Sequence, residues 1–186
     1  YVGAAQRKPL EDKAGFPCPV EIRGFIRKLP LAAEPGKTMV YSCLNAILCA
    51  EVIREVSGQP LDVFATENVF KPLGMDESGF KPNSVLCSRC VPSTRETWAE
   101  NGDGFLQGQV HDPLAAMQGG VSGNAGLFST VADLSRFAQM LLGGGELDGV
   151  RILKEQTIRD MTRVQNPGAV NKSGNPDRRG LLWDLY

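Results

Sequence analysis

At 186 residues, 42% of them hydrophobic and 22% charged, the chain is long enough to bury a substantial core in one globular domain, or in a domain and part of a second. Twenty basic residues are interspersed with twenty-one acidic ones for a formal net charge of −1, which leaves no electrostatic footprint for nucleic acid or an anionic membrane. No apolar run reaches the roughly 20 residues of a membrane span, the N-terminus lacks the basic-then-apolar pattern of an export signal, and the first residue is Tyr1 rather than methionine, which reads as a processed product or an excerpt.

Residues 1–17 are polar and without period, and are expected to be irregular. From Val20 to Leu29 the apolar residues 22, 25, 26 and 29 have helical spacing, closed by Pro30. A Pro35-Gly36 turn and a short extended lead-in from Thr38 precede Tyr41-Ser42-Cys43-Leu44-Asn45. From Ser42 to Val56 positions 44, 47, 48, 52, 53 and 56 form one apolar stripe, and Gly58 stands where a left-handed residue ends a helix. Pro60 opens another helical run through Phe70, stopped by Pro72 and Gly74. The stretch from Met75 to Gly108 reads as irregular, with one short strand around Val85.

Gly119 to Gly126 holds four glycines in eight residues, so the backbone there turns tightly or approaches something closely. Thr130 has the character of an N-cap, with Asp133 three residues on, for a helix that carries Leu134, Phe137, Ala138 and Leu141 and ends at Gly143. A strand-like Val150 to Leu153 leads to a helix over Glu155 to Thr162. Residues 163–179 are loop-like, and Leu181 to Tyr186 reads as a strand that stops at the end of the chain. The segments are therefore an irregular 1–17, a mainly helical 18–162, and a loop and strand over 163–186.

Five cysteines, an odd and irregularly spaced set, do not form the framework of a disulfide-stapled domain. Cys49, inside a helical pattern, reads as a small buried apolar residue. Cys87 and Cys90 form one C-x-x-C, read as plain loop cysteines ahead of a local redox pair. A tetrahedral metal site would need two more ligands, so neither metal nor cofactor is expected. His111 is the only histidine, and His111-Asp112-Pro113 reads as a turn rather than part of a catalytic dyad. Trp98 and Trp183 read as packing residues.

Several ordered blocks then resemble a known family. Pro35-Gly36, Tyr41-Ser42-Cys43, Glu51-Val52-Ile53, Ser57-Gly58-Gln59-Pro60-Leu61 and Pro72-Leu73-Gly74-Met75 look like the middle of the serine β-lactamase-like family, which includes class C β-lactamases, D-alanyl-D-alanine peptidases and related esterases. His111-Asp112-Pro113, the run from Gly119 to Thr130, and Gly180-Leu181-Leu182-Trp183-Asp184 resemble it further along. The resemblance covers about residues 30–186. It implies a mostly α structure with short strands, a partial β-lactamase/transpeptidase-like α/β fold whose helical region leads into an antiparallel sheet.

It also implies chemistry. In that family a serine attacks an ester, β-lactam or peptide-like amide, and three motifs meet: S-x-x-K, Y-x-N, and K-T-G or H-T-G on a strand. Tyr41 corresponds to the proton-shuttling tyrosine, with Cys43, Asn124 and Ala125 as candidate substrate-binding neighbours. A free tyrosine is only about 0.1% phenolate at pH 7, so such a role requires nearby cations. The alternative for Tyr41 is packing beside Pro35 with its hydroxyl satisfied by backbone. Cys43 departs from the pattern, since a thiol is a weak hydrogen-bonding group where the family has an amide.

No nucleophile motif precedes Tyr41. Ser78-Gly79-Phe80-Lys81 has the letters of S-x-x-K but runs into Pro82, Lys172-Ser173-Gly174 lies in a polar loop, and Ser122-Gly123-Asn124 belongs to the glycine-rich loop. The expectation is a piece of a serine hydrolase that is inactive alone. The alternatives are a non-catalytic binding module on the same scaffold and a chain completed by a partner. The resemblance makes export or a periplasmic location the expected setting and a small ester, β-lactam or peptide-like molecule the expected partner, and it leaves oligomeric state open.

Overall fold

A computed structural model describes residues 4–31, 34, 40–96, 104–168 and 177–185. Its elements in chain order are α1 (Ala4–Ala14), α2 (Pro19–Ile26), α3 (Cys43–Ser57), α4 (Leu61–Ala65) continuing into a π-helix (Thr66–Phe70), β1 (Gly79–Phe80), α5 (Ser84–Arg89), α6 (Pro113–Met117), β2 (Leu127–Phe128), α7 (Val131–Leu142), β3 (Glu146–Leu147), β4 (Val150–Arg151) and α8 (Glu155–Thr162). The fold is mostly helical with a few short antiparallel strands, as the resemblance implies.

Helices α3, α5, α6 and α7 start where a side chain satisfies a free backbone N–H. Ser42 caps α3 by accepting the Leu44 N–H, and Gly58, at φ 73°, ends it. Thr130 caps α7 through the Asp133 N–H. Asp112 caps α6 with Pro113 in the first turn, so His111-Asp112-Pro113 is a helix start rather than a free turn. Asn83 accepts from the N–H groups of Val85 and Leu86 and opens α5, which places Val85 in a helix and corrects the expected strand. Residues 1–17 also differ from expectation: α1 occupies 4–14 despite carrying Pro9.

Two apolar clusters hold these elements. Cys18, Ile22, Ile26, Ile47, Leu114 and Met117 join α2, α3 and α6, and the Cys18 N–H donates to the Met117 carbonyl at 2.9 Å. Phe70, Leu73, Met75 and Met140 join the π-helix and its following turn to α7, with Phe137, Leu147 and Ile152 packed around them. An ion-pair group ties α2 to α3: Glu51 accepts from Arg27 at 2.8 Å and from Arg54 at 3.2 Å, and its side chain is only 13% exposed.

The expected apolar stripe of α3 is split. Ile47 is 1% exposed, whereas Leu48, Val52 and Val56 face outward. Cys49, expected inside, is exposed. A helix of this length presents about one-third of its circumference to a single neighbour, and the turn set by Ser42 and Leu44 points Ile47 toward α2 and α6.

β1 pairs antiparallel with β2, Gly79 opposite Phe128 and Phe80 opposite Leu127. β3 and β4 form a hairpin whose two turn residues, Asp148 and Gly149, both have positive φ, the geometry that matches strand twist. The Leu181–Tyr186 expectation is corrected: Arg179 and Asp184 make an isolated antiparallel bridge around a turn in which Leu182 has φ 62°. Tyr186, the Pro35-Gly36 turn, Trp98 and Lys172-Ser173-Gly174 lie outside the described residues.

Candidate active site

Tyr41 stands two residues before α3, and three contacts fix the chain around it. The Ser42 hydroxyl accepts the Leu44 N–H at 3.2 Å, the Ser42 carbonyl accepts the Asn45 N–H at 3.1 Å, and the Asn45 side-chain amide donates to the Val40 carbonyl at 3.0 Å. The backbone on both sides of Tyr41 is therefore held to the first turn of α3, while its own side chain is 78% exposed. Its hydroxyl has no hydrogen bond among the described residues. A phenol packed against protein and satisfied by backbone is not what this geometry shows. Asn45, two residues beyond Cys43, supplies the clamp; its signal in the sequence is an amide side chain in a first helical turn, within reach of the preceding carbonyls.

Cys43 is the first residue of α3, a free thiol of intermediate exposure. The glycine-rich loop reaches the same helix. A Cβ on Gly123 would stand 2.0 Å from the Ala46 carbonyl oxygen and 3.0 Å from the Ala50 Cβ, so only glycine lets the loop lie directly on the α3 backbone. The loop thus brings its Ser122–Asn124 segment onto the helix that begins beside Tyr41.

Within the loop, Ser122 is 3% exposed. Its hydroxyl accepts from the Gln118 amide at 2.9 Å and donates to Asn124 Oδ1 at 2.7 Å. Asn124 Nδ2 is buried without a partner, a cost of about 1–3 kcal/mol if nothing else meets it. Ala125 is half-buried next to it. Ser122 is thereby committed to holding Asn124.

Ser78 is committed elsewhere. Its hydroxyl is 2.6 Å from that of Ser129 and donates to the Asp133 carboxylate at 2.8 Å, which also accepts the Glu77 N–H at 2.9 Å. Gly79 and Phe80 are in β1, and Lys81 follows with φ 50°. A serine and lysine meet across one helical turn only if the residues between them are helical, and these are extended. His111 is exposed at the start of α6.

Two cavities, of about 800 and 470 Å3, have described linings that do not include Tyr41, Cys43, Asn124 or Ala125. Both share Lys81, Pro82 and Phe128. Cys87 and Cys90, expected in loop, sit within and at the end of α5; Cys87 Sγ donates to the Gln107 carbonyl at 3.1 Å and Cys90 Sγ to the Leu86 carbonyl at 3.4 Å. Burial, with Glu11 and Glu21 adding to it, pushes the Cys18 thiol up, and burial with the neighbouring Cys87 does the same to Cys90. Among the described residues no three His, Cys, Asp or Glu side chains are placed to hold a metal ion, and no helix is long and apolar enough to cross a membrane.

Comparison with known proteins gives this geometry its context. The β-lactamase family model matches residues 3–186. A protein named "Putative D-alanyl-D-alanine carboxypeptidase" from Escherichia coli (strain K12) is 33% identical over 149 residues, covering 74% of this chain and 34% of that protein. The chain thus spans about a third of the length of the curated relatives it matches. Among solved structures, the octameric penicillin-binding protein homologue from Pyrococcus abyssi aligns with a TM-score of 0.61 at 22% identity, over 89% of this chain and 34% of that one. The D-amino acid amidase from Ochrobactrum anthropi SV3 aligns with a TM-score of 0.51 at 23% identity, over 76% and 37%. Those two likenesses concern the fold, and together with the family match across nearly every residue they leave one conclusion: the chain belongs to the serine β-lactamase-like family.

Proposed function

We propose that these residues form the helical part of a serine hydrolase that opens an ester, β-lactam or peptide-like amide through an acyl-serine, with Tyr41 as proton shuttle. The observation that carries the reading is the clamped backbone and exposed, uncommitted phenol of Tyr41 at the start of α3. A proton shuttle needs a hydroxyl free to exchange partners on a backbone that does not move. The name of the Escherichia coli relative supports a D-alanyl-D-alanine-type peptide among the candidate substrates.

The serine nucleophile and its lysine, and the strand-borne K/H-T/S-G, are in this reading supplied from outside the 186 residues, so the chain alone is inactive. Asn124 Nδ2, buried and unpartnered, is the donor we assign to a substrate carbonyl or to a neighbouring side chain. The first test is the coding sequence on either side of these residues, where an S-x-x-K and an apolar strand bearing K/H-T/S-G are expected. In the polypeptide that carries them, Tyr41→Phe should slow fluorophosphonate or β-lactam acylation by about 10²-fold or more, and the 186-residue chain should remain unlabelled by mass spectrometry. Acylation of that chain at Ser78, or full activity of Tyr41→Phe, overturns the reading.

Cys43 favours a second reading, a non-catalytic module that keeps the scaffold to bind a ligand, because a thiol replaces the amide at a position meant to hydrogen-bond substrate. Absence of S-x-x-K from the adjoining sequence would select it.

A further inference from the structure

The larger cavity, about 800 Å3, has a volume typical of small-molecule sites. Phe16, Pro17, Val110, Ala116 and Phe128 give it apolar walls, and Lys81 is the one charged residue on its described lining. The polar groups around it are largely committed. Cys87 donates to the Gln107 carbonyl, and the Gln107 amide donates to the carbonyls of Ser88 at 3.3 Å and Cys90 at 2.9 Å. Gln109 has a partner of its own. The Lys81 side chain has neither an ion pair nor a hydrogen bond among the described residues.

The chain bends unfavourably to place that lysine. Lys81 has φ 50°, a conformation that costs an L-residue with a side chain, and it precedes Pro82, which further restricts it. Such outliers persist where the surroundings hold them, and they concentrate at sites that use them. The β1–β2 pairing fixes one side of Lys81. On the other, its stem crosses the glycine-rich loop, where a Cβ on Gly120 would lie 3.2 Å from Lys81 Cγ. Gly120, at φ 85°, leaves the stem its path along the cavity.

We infer that this cavity binds a small organic monoanion, an apolar body filling the space between Phe16, Val110 and Phe128 with its carboxylate on the Lys81 ammonium. One unpaired, solvent-reachable cation beside apolar walls complements a single negative charge, and the carboxylates of Asp62, Glu67 and Glu77 are on the described lining of the smaller cavity that Lys81 also borders and not of this one. This goes beyond the proposed hydrolysis, because none of Tyr41, Cys43, Asn124 or Ala125 lines the cavity.

The test uses two probes of one shape, 4-phenylbutyrate and its uncharged amide 4-phenylbutyramide, titrated calorimetrically into the 186-residue chain at low salt, with the amide resonances of Gly119 and Gly120 followed by NMR. The acid should bind about tenfold or more tightly than the amide, a typical worth for one charge-assisted contact, and added sodium chloride should weaken only the acid. Lys81→Met, which keeps the stem, should abolish the preference, whereas Lys71→Met, in the smaller cavity, should retain it. Equal binding of the two probes, no binding of either, a preserved preference in Lys81→Met, or shifts centred on Leu48 and Val52 instead of Gly119 and Gly120 would overturn the inference. The salt dependence decides the matter in unaltered protein should Lys81→Met fail to fold. Because no step is hydrolytic, failure here leaves the Tyr41 reading untouched.

Discussion

Asp133 offers the sharpest test of how the site is held together. Its carboxylate is 7% exposed, one oxygen accepts the Glu77 N–H at 2.9 Å and the Ser78 hydroxyl at 2.8 Å, and it lies in the first turn of α7. Hydrogen bonds to a charged acceptor contribute about 1.5–3 kcal/mol each, and a carboxylate at a helix N-terminus about 0.3–1 kcal/mol more. Asp133→Ala removes all of these and strands a backbone N–H, so the expected loss is about 3–7 kcal/mol. Ser78→Ala removes a single hydroxyl, leaves Glu77 paired, and should cost about 1–2 kcal/mol. Urea unfolding followed by helical circular dichroism measures both, provided the slope with denaturant stays constant. For a chain of this size Asp133→Ala should lower the melting temperature by roughly 10 °C or more. If Asp133→Ala stays within about 1 kcal/mol of the unaltered chain, or if Ser78→Ala costs as much as Asp133→Ala, the carboxylate is not the tie between β1 and α7, and Ser78 regains the freedom denied to it above.

Other outcomes follow from burial and charge. Ile47→Ala should destabilise the chain by about 2–5 kcal/mol, whereas Val52→Ala, on the outward face of α3, should change stability by less than about 0.5 kcal/mol; replacing Val52 and Val56 with Glu should reduce any self-association seen by size-exclusion chromatography. Thiol labelling followed by peptide mapping should mark exposed Cys49 first and Cys18 only after unfolding, since Cys18 is both buried and held in its thiol form. The Arg89 hydrogen bond and charge hold the Glu77 carboxyl below its ordinary value of 4.5; a depressed carboxylate stabilises the fold above that value and loses its contribution as pH falls through the lower folded value. In an NMR titration Arg89→Gln should therefore return the Glu77 midpoint toward 4.5 and flatten the acid dependence of stability below it.

The helices whose ends carry chemistry were legible from residues alone. Ser42 and Gly58 bound α3, Thr130 and Gly143 bound α7, and these are local events between neighbours in sequence. The same logic holds at Asn83 and Asp112, but the prolines and glycines around them mask it, so α5 and α6 emerge only in the folded chain. Which face of α3 is buried was not local: Ile47 and Val52 are equally apolar, and only the placement of α2 and α6 separates them. Tyr41 is visible as a motif, but its clamp by Asn45 depends on how the lead-in folds back over the first turn of α3, which residue types alone do not dictate. Lys81 carries no signal beyond a look-alike, because nothing in a lysine before proline announces the positive φ it adopts after β1.

The contact between Gly123 and α3 determines which substitutions in this chain leave the loop in place. The loop rests on the Ala46 carbonyl, a main-chain atom present whatever residue occupies position 46. Exchange of side chains along the outward part of the helix therefore leaves the spacing between tyrosine and loop untouched, while a single methyl at position 123 pushes the two apart. The dimension that matters is stored in an absent atom: outward side chains of α3 can change, while a glycine that lies outside the helix sets how near the loop comes to it.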